Sequence, residues 1–132
     1  MTCVPYLHFQ GDCAEAMAFY AEVFGSEPPR LMRYTDAPPS EEIGRSDKVM
    51  HAELTIGAGK LMGSDFPPGM EGEPQRAVSV MHPVADAETG RRIYQRLREG
   101  GATIMDFAPT FWSQGFGMVR DRFGTHWMIA AP

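Results

Sequence analysis

Apolar and polar residues recur along this chain with two periods, first that of a strand and then that of a helix. Val4–Phe9 is a short apolar run with β-branched and aromatic residues, which predicts a strand. Gly11 ends it, Asp12 stands where a helix N-cap belongs, and Glu15 three residues on completes a capping-box pattern. Ala16, Met17, Phe19, Tyr20, Val23 and Phe24 then share one face at helical spacing, and Gly25 supplies a stop, so a helix is predicted over 13–24. Pro28-Pro29 precedes a strand over Arg30–Tyr34, and 36–48 read as a polar, proline-bearing loop. Period two returns at Val49–Ile56, with Met50, Ala52, Leu54 and Ile56 on the helix side and His51, Glu53 and Thr55 opposite. Gly57-Ala58-Gly59 turns the chain back into Lys60–Asp65, a hairpin partner.

A proline- and glycine-bearing linker over 66–76 leads to a second copy of this order. Ala77–His82 predicts a strand. Asp86 predicts a cap, and Ile93, Tyr94 and Leu97 mark a helix near 86–99 that ends at Gly100-Gly101. Strands follow at Thr103–Phe107, Gly115–Arg120 and Thr125–Ala130, the last beyond the Phe123-Gly124 turn. The two caps and the two helical tyrosines, Tyr20 and Tyr94, share one offset (86 − 12 = 94 − 20 = 74), which indicates an internal duplication. The expected fold is α+β: two βαβββ modules, 1–66 and 75–132, in a single domain. One helix covers only one face of a four-stranded sheet. Two such sheets forming an open barrel would enclose a cleft, a favoured place for a ligand.

Composition narrows the partners. At 132 residues the chain can bury a core without a staple, and 43% hydrophobic with 22% charged residues is globular. The net charge of −5 offers no basic face, so no nucleic acid is expected. No 18-residue apolar run is present and the first residues lack the form of a signal peptide, so neither membrane nor secretion is expected. Two cysteines, Cys3 and Cys13, fit a reducing, cytoplasmic setting, with Cys13 read as a structural thiol. Of ten methionines, Met50, Met62, Met81, Met105, Met118 and Met128 fall on strands and read mostly as core fillers, while a few facing the cleft would make a soft, adaptable wall.

The doubled βαβββ order, with the segments PYLHFQGDCAEAMAFYAEVFG, VMHAELTIG, KLMGSD and TFWSQGFGMVRDRFGTHWMIA, resembles the vicinal-oxygen-chelate superfamily of glyoxalases, extradiol dioxygenases and antibiotic-resistance binding proteins. Within it the chain is similar to the PhnB-like branch, whose members sometimes carry the label demethylubiquinone methyltransferase. No glycine-rich nucleotide loop follows any strand here, so methyl transfer is not expected. The resemblance implies a ligand cleft and a homodimer; an open sheet edge in each module would suit a partner. In metal-dependent relatives four ligands come from the first and last strands of the modules. Here those positions fall on Tyr6, on Gly63 or Ser64, on Ala77 or Val80, and on Met128, so no metal and no cofactor is expected.

Alternation sends Tyr6, His8, His51, Glu53, His126 and Met128 to the face away from the helices. Two readings of Tyr6, His8, His51, Glu53 and His126 stand side by side: a polar ligand pocket able to exchange protons, or a solvated sheet surface. A relocated metal at His51-x-Glu53, completed by His8 or His126, is a further option. Trp112, Phe111 and Phe116 flank a Ser113-Gln114-Gly115 turn, where they could stack on a planar or apolar ligand, or else seal the open end of the barrel or bury at a dimer seam. The expectation is a protein binding a small, partly apolar molecule; the alternative is a lyase, isomerase or oxygenase using the His/Glu cluster.

Overall fold

The computed structural model describes residues 2–38, 46–67 and 69–132; residues 39–45 of the predicted loop and residue 68 of the linker lie outside the described residues. Contacts divide the chain into two compact units, Met1–Pro74 and Gln75–Pro132.

The first unit runs β1 (Tyr6–Phe9), α1 (Cys13–Phe24), β2 (Arg30–Arg33), β3 (Val49–Ile56) and β4 (Gly59–Asp65). Its sheet has the order β1-β4-β3-β2, with β1 parallel to β4 and the remaining pairs antiparallel. Leu7 and Phe9 of β1, Ala52 and Leu54 of β3, and Leu61 of β4 are buried with Ala16, Met17, Tyr20 and Val23 of α1. The opposite face is open. Met50 does not join the helix side as alternation predicts. Met32 pairs with His51 but Arg33 with Val49, so Met50 is the extra residue of a bulge, and Val49 turns inward instead.

The second unit repeats the order with β5 (Val80–Pro83), α2 (Ala87–Arg98), β6 (Ala102–Ala108), β7 (Phe116–Arg120) and β8 (His126–Ala130). Its sheet order is β5-β8-β7-β6, again with one parallel pair. Strand β5 starts three residues later than the sequence suggests. Ala77 sits at φ 56, a left-handed conformation that cannot continue a strand. Trp127, Ile129 and Val119 are buried with Ile93, Tyr94 and Leu97 of α2. Gly117 lets the helix approach, because a Cβ there would lie 2.8 Å from the Tyr94 ring. Two separate four-stranded mixed sheets, each with one helix, make this the predicted α+β, glyoxalase-like fold.

The two helices are capped differently. Asp86 Oδ1 accepts from Thr89 N–H at 2.7 Å, as predicted for α2. Asp12 makes no such bond, and the expected capping box is absent. Asp65, at the end of β4, replaces it: Oδ1 accepts from Gly11 N–H at 2.9 Å and Cys13 N–H at 3.0 Å, while Oδ2 accepts from Val49 N–H at 2.9 Å. Its carbonyl also accepts from the Tyr34 hydroxyl at 3.0 Å. One buried carboxylate thus ties α1, β3 and β4 together. Burial raises the Asp12 carboxyl, and the neighbouring Asp65 charge adds to the rise.

Candidate functional site

The open face of the first sheet gathers chemistry from all four strands. Strand register lines up Tyr6, Met62, Glu53 and Arg30 in one row across β1, β4, β3 and β2, and pairs His8 with Ser64 and His51 with Met32. Tyr6 and His51 lie on strands that are not neighbours, yet the Tyr6 hydroxyl reaches His51 Nδ1 at 2.9 Å. The other ring nitrogen, Nε2, lies 3.1 Å from Glu53 Oε1, and Lys60 Nζ lies 3.7 Å from Glu53 Oε2. An ionised carboxylate can only accept, so Nε2 carries the proton. In the neutral ring Nδ1 then accepts from the Tyr6 O–H, which fixes the His51 tautomer. The hydrogen bond from His51 holds the Glu53 carboxyl below its ordinary value, and the Lys60 and Arg30 charges add to this.

His8 stands beside this relay, its ring centroid 5.2 Å from that of Tyr6, and stacks on Phe66 at 5.5 Å. Ser64 Oγ lies 3.5 Å from His8 Nδ1. Towards β2, a shallow groove of about 250 Å³ is lined by Arg30, Leu31, Met32, His51 and Glu53. The arrangement can present a polarised phenol to a bound molecule, with a cation on either side of one carboxylate and thioethers nearby. Lys60, Phe66 and Arg30 were not singled out from the sequence, and Ser64 only as a position of the superfamily's ligands. Lys60 alone had a usable signal, since a tight turn at Gly57-Ala58 sets Thr55 opposite Lys60 and places Glu53 two pairs further on, on the same face.

The remaining predicted residues lie in the second unit. Trp112 packs edge-on against Phe111 at 4.7 Å and lies 5.7 Å from Phe116. Phe116 is buried, Trp112 is 56% exposed and Phe111 is 97% exposed. Ser113 is buried, and its Oγ accepts from Gly115 N–H at 3.1 Å and donates to the Ala131 carbonyl at 2.5 Å, which ties the turn to the backbone after β8. His126 and Met128 are half-buried on the open face of β8, between the inward Trp127 and Ile129. His126 Nδ1 is buried without a hydrogen-bond partner. His82 pairs with Ile129, and burial lowers its pKa. The Asp121-Arg122-Phe123-Gly124 turn is structural: Asp121 accepts from Phe123 N–H, Thr125 N–H and Trp127 Nε1–H at 2.9, 3.0 and 2.9 Å. Cys13 is fully buried, and burial pushes its thiol up to about 12, which removes it as a nucleophile.

The positions at which the superfamily resemblance implies metal ligands do not fit a divalent ion. The Tyr6 hydroxyl is engaged by His51, Ser64 offers a hydroxyl, Val80 is aliphatic and Met128 is a thioether. Both nitrogens of His51 are likewise occupied, by Tyr6 and Glu53. Among the described residues no cluster of three or more His, Cys, Asp or Glu side chains is placed to hold a metal. No described helix is long and apolar enough to cross a membrane.

Comparison with known proteins places these features in a family. The chain is 30% identical to protein YjdN of Escherichia coli (strain K12), an alignment covering 98% of this chain and 94% of that one. Among solved structures it is similar to protein PA1353 from Pseudomonas aeruginosa, with 36% identity, a TM-score of 0.89 and coverage of 99% of this chain and 97% of the other. A glyoxalase/bleomycin resistance protein from Albidiferax ferrireducens T118 shares the fold at 13% identity and a TM-score of 0.68, covering 100% of this chain and 98% of that one. The family described as 3-demethylubiquinone-9 3-methyltransferase matches residues 1–130. The chain therefore belongs to that PhnB-like family, and it shares the glyoxalase-like fold.

Proposed function

We propose that this protein binds a small, partly apolar molecule against the open face of its first sheet, without a divalent metal at the superfamily's ligand positions. The observation that carries the reading is the Tyr6–His51–Glu53 relay beside the groove lined by Arg30, Leu31 and Met32. A few convergent polar groups among apolar walls are what small-molecule sites are made of. The methyl transfer in the family's description has no support in this chain's residues. Both strand-to-helix connections, Gln10-Gly11-Asp12 and Val84-Ala85-Asp86, are too short and glycine-poor to cradle a nucleotide.

A ligand that binds only the folded state stabilises it by about 2.7 kcal/mol at a hundred times its Kd, a rise of roughly 10 °C for a chain of this size. A thermal-shift screen of small planar and amphipathic compounds therefore tests the reading, with Tyr6→Phe and Glu53→Gln expected to abolish the shift. A hit whose shift survives both substitutions would place the site elsewhere. Elemental analysis after dialysis is expected to find no stoichiometric divalent ion, and one that vanishes with His51→Ala or Glu53→Ala would mark a relocated centre. The relay also supports a second reading, proton exchange with the bound molecule as in an isomerase, lyase or oxygenase, because His51 is held between a phenol and a carboxylate. The same proposal takes the protein as a homodimer, for which the 97% exposed Phe111 ring is a natural contact. Sedimentation of the 14.6 kDa chain as a monomer at micromolar concentration would refute the dimer.

A further inference from the structure

Strand register places Met81 beside Met128, Met128 beside Met118, and Met118 beside Met105. The four form one row across β5, β8, β7 and β6, the full width of the second sheet. All belong to the face away from α2, since the alternate residues Val119, Trp127 and Ile129 are the buried ones. Met81 is 56% and Met105 46% exposed, while Met118 and Met128 are half-buried. Met81, Met105 and Met118 are not the core fillers the sequence suggests, whereas Met128 lies on the face that alternation predicts. His126 shares this face with Met128, two residues earlier on β8. Its Nδ1 is the one buried side-chain nitrogen or oxygen without a hydrogen-bond partner among the described residues. Burying such a group unpaired is unfavourable, so this nitrogen calls for a partner.

The donors named are all soft or borderline and all neutral. Thioethers bind monovalent d¹⁰ ions and bind zinc, calcium or magnesium poorly. The register partner of His126 is Arg120, a cation on the same face, which further disfavours a doubly charged ion. Neighbouring strands lie about 4.8 Å apart, and a methionine has three rotatable bonds, so sulfurs from adjacent strands can meet at one centre. We propose that Met118, Met128 and His126 Nδ1 form a three-coordinate site for a soft monovalent ion of the Cu(I) type, with Met81 and Met105 flanking it. The mismatch between Met128 and a hard divalent ion thereby becomes a different selectivity. The inference is independent of ligand binding on the first sheet.

The test is Cu(I) titration of the full chain under ascorbate, in competition with bicinchoninate. It is done in a Cys3→Ser background because the exposed Cys3 thiol would bind the ion on its own account. One Cu(I) per chain is expected, with the methyl NMR signals of Met118 and Met128 shifting on binding. The pair Met118→Leu with Met128→Leu, which conserves volume, is expected to weaken binding at least about 100-fold, and His126→Gln about 10-fold. Met62→Leu on the first sheet is expected to change nothing. Failure of the Cys3→Ser protein to hold Cu(I) against bicinchoninate would overturn the proposal. So would binding that survives the Leu pair or His126→Gln, or that is lost equally with Met62→Leu. Circular dichroism of each variant shows that the fold is retained.

Discussion

Replacing Asp65 should cost this protein far more than replacing Asp12, although the sequence marks Asp12 as the helix cap. The Asp65 carboxylate is 2% exposed and accepts from three backbone amides, those of Gly11, Cys13 and Val49. Asp65→Ala strands all three donors where water has little access. Each unsatisfied buried group costs about 1–3 kcal/mol, and recovering the desolvation cost of the charge offsets part of the sum. A net loss of about 3–5 kcal/mol follows, a large share of the roughly 5–15 kcal/mol that holds a domain folded. Asp65→Asn keeps the shape and can still accept from Gly11 and Cys13, but it points an amide donor at the Val49 N–H. It should lose about 2 kcal/mol. Asp12 makes no capping bond and its charge is disfavoured by burial and by Asp65, so Asp12→Asn should stay within about 0.5 kcal/mol of the parent. Urea unfolding followed by far-ultraviolet circular dichroism measures all three. An Asp12→Asn loss equal to that of Asp65→Ala, or an Asp65→Ala loss under about 1 kcal/mol, would refute the assignment of the cap to β4.

Gly117→Ala should destabilise by about 1–3 kcal/mol, because the new Cβ would meet the Tyr94 ring at 2.8 Å and the Phe107 backbone at 3.0 Å; a melting temperature unchanged from the parent would contradict this packing. Of the two thiols only the exposed Cys3 should react with a disulfide reagent under native conditions, and both should react in urea; two fast thiols in the native protein would show that Cys13 is not sealed. The Glu53 carboxyl sits below its ordinary value of 4.5, so its contribution to stability is complete above that pH and is lost as the pH falls through the lower, folded value. Glu53→Gln should flatten the dependence of melting temperature on pH below about 4.5, and an unchanged profile would mean that the bond with His51 is not kept in solution.

What the sequence made legible here was whatever depends on neighbours a few residues apart. Helical spacing placed α1 at the bounds observed, and parity along β1, β3 and β8 put Tyr6, His8, His51, Glu53 and His126 on open faces. Parity breaks wherever a bulge intervenes, and a bulge leaves no mark in composition; Met50 and Val49 exchange sides for that reason alone. The duplication was visible because equal offsets survive in two caps and two tyrosines, yet the caps are not equivalent. The first helix takes its cap from a carboxylate more than fifty residues downstream. Only the parallel pairing of β1 with β4 brings Phe9 beside Asp65 and so carries that carboxylate to the start of α1.

The same pairing rule explains what a residue-by-residue reading leaves out of both candidate sites. A row across a four-stranded sheet is fixed by three registers, one of them parallel and set by a helical crossover, not by a turn. Met81, Met105, Met118 and Met128 are unremarkable singly, and each looks like a side chain available to any core. Their meaning changes only when the registers put all four side by side on an uncovered face. Tyr6 and His51 behave alike: parity gives each its face, but the bond between them spans the intervening β4 strand and requires the register Tyr6–Met62–Glu53. In the PhnB-like frame the sheet therefore decides the chemistry, because side chains from non-adjacent segments acquire a common site only through it.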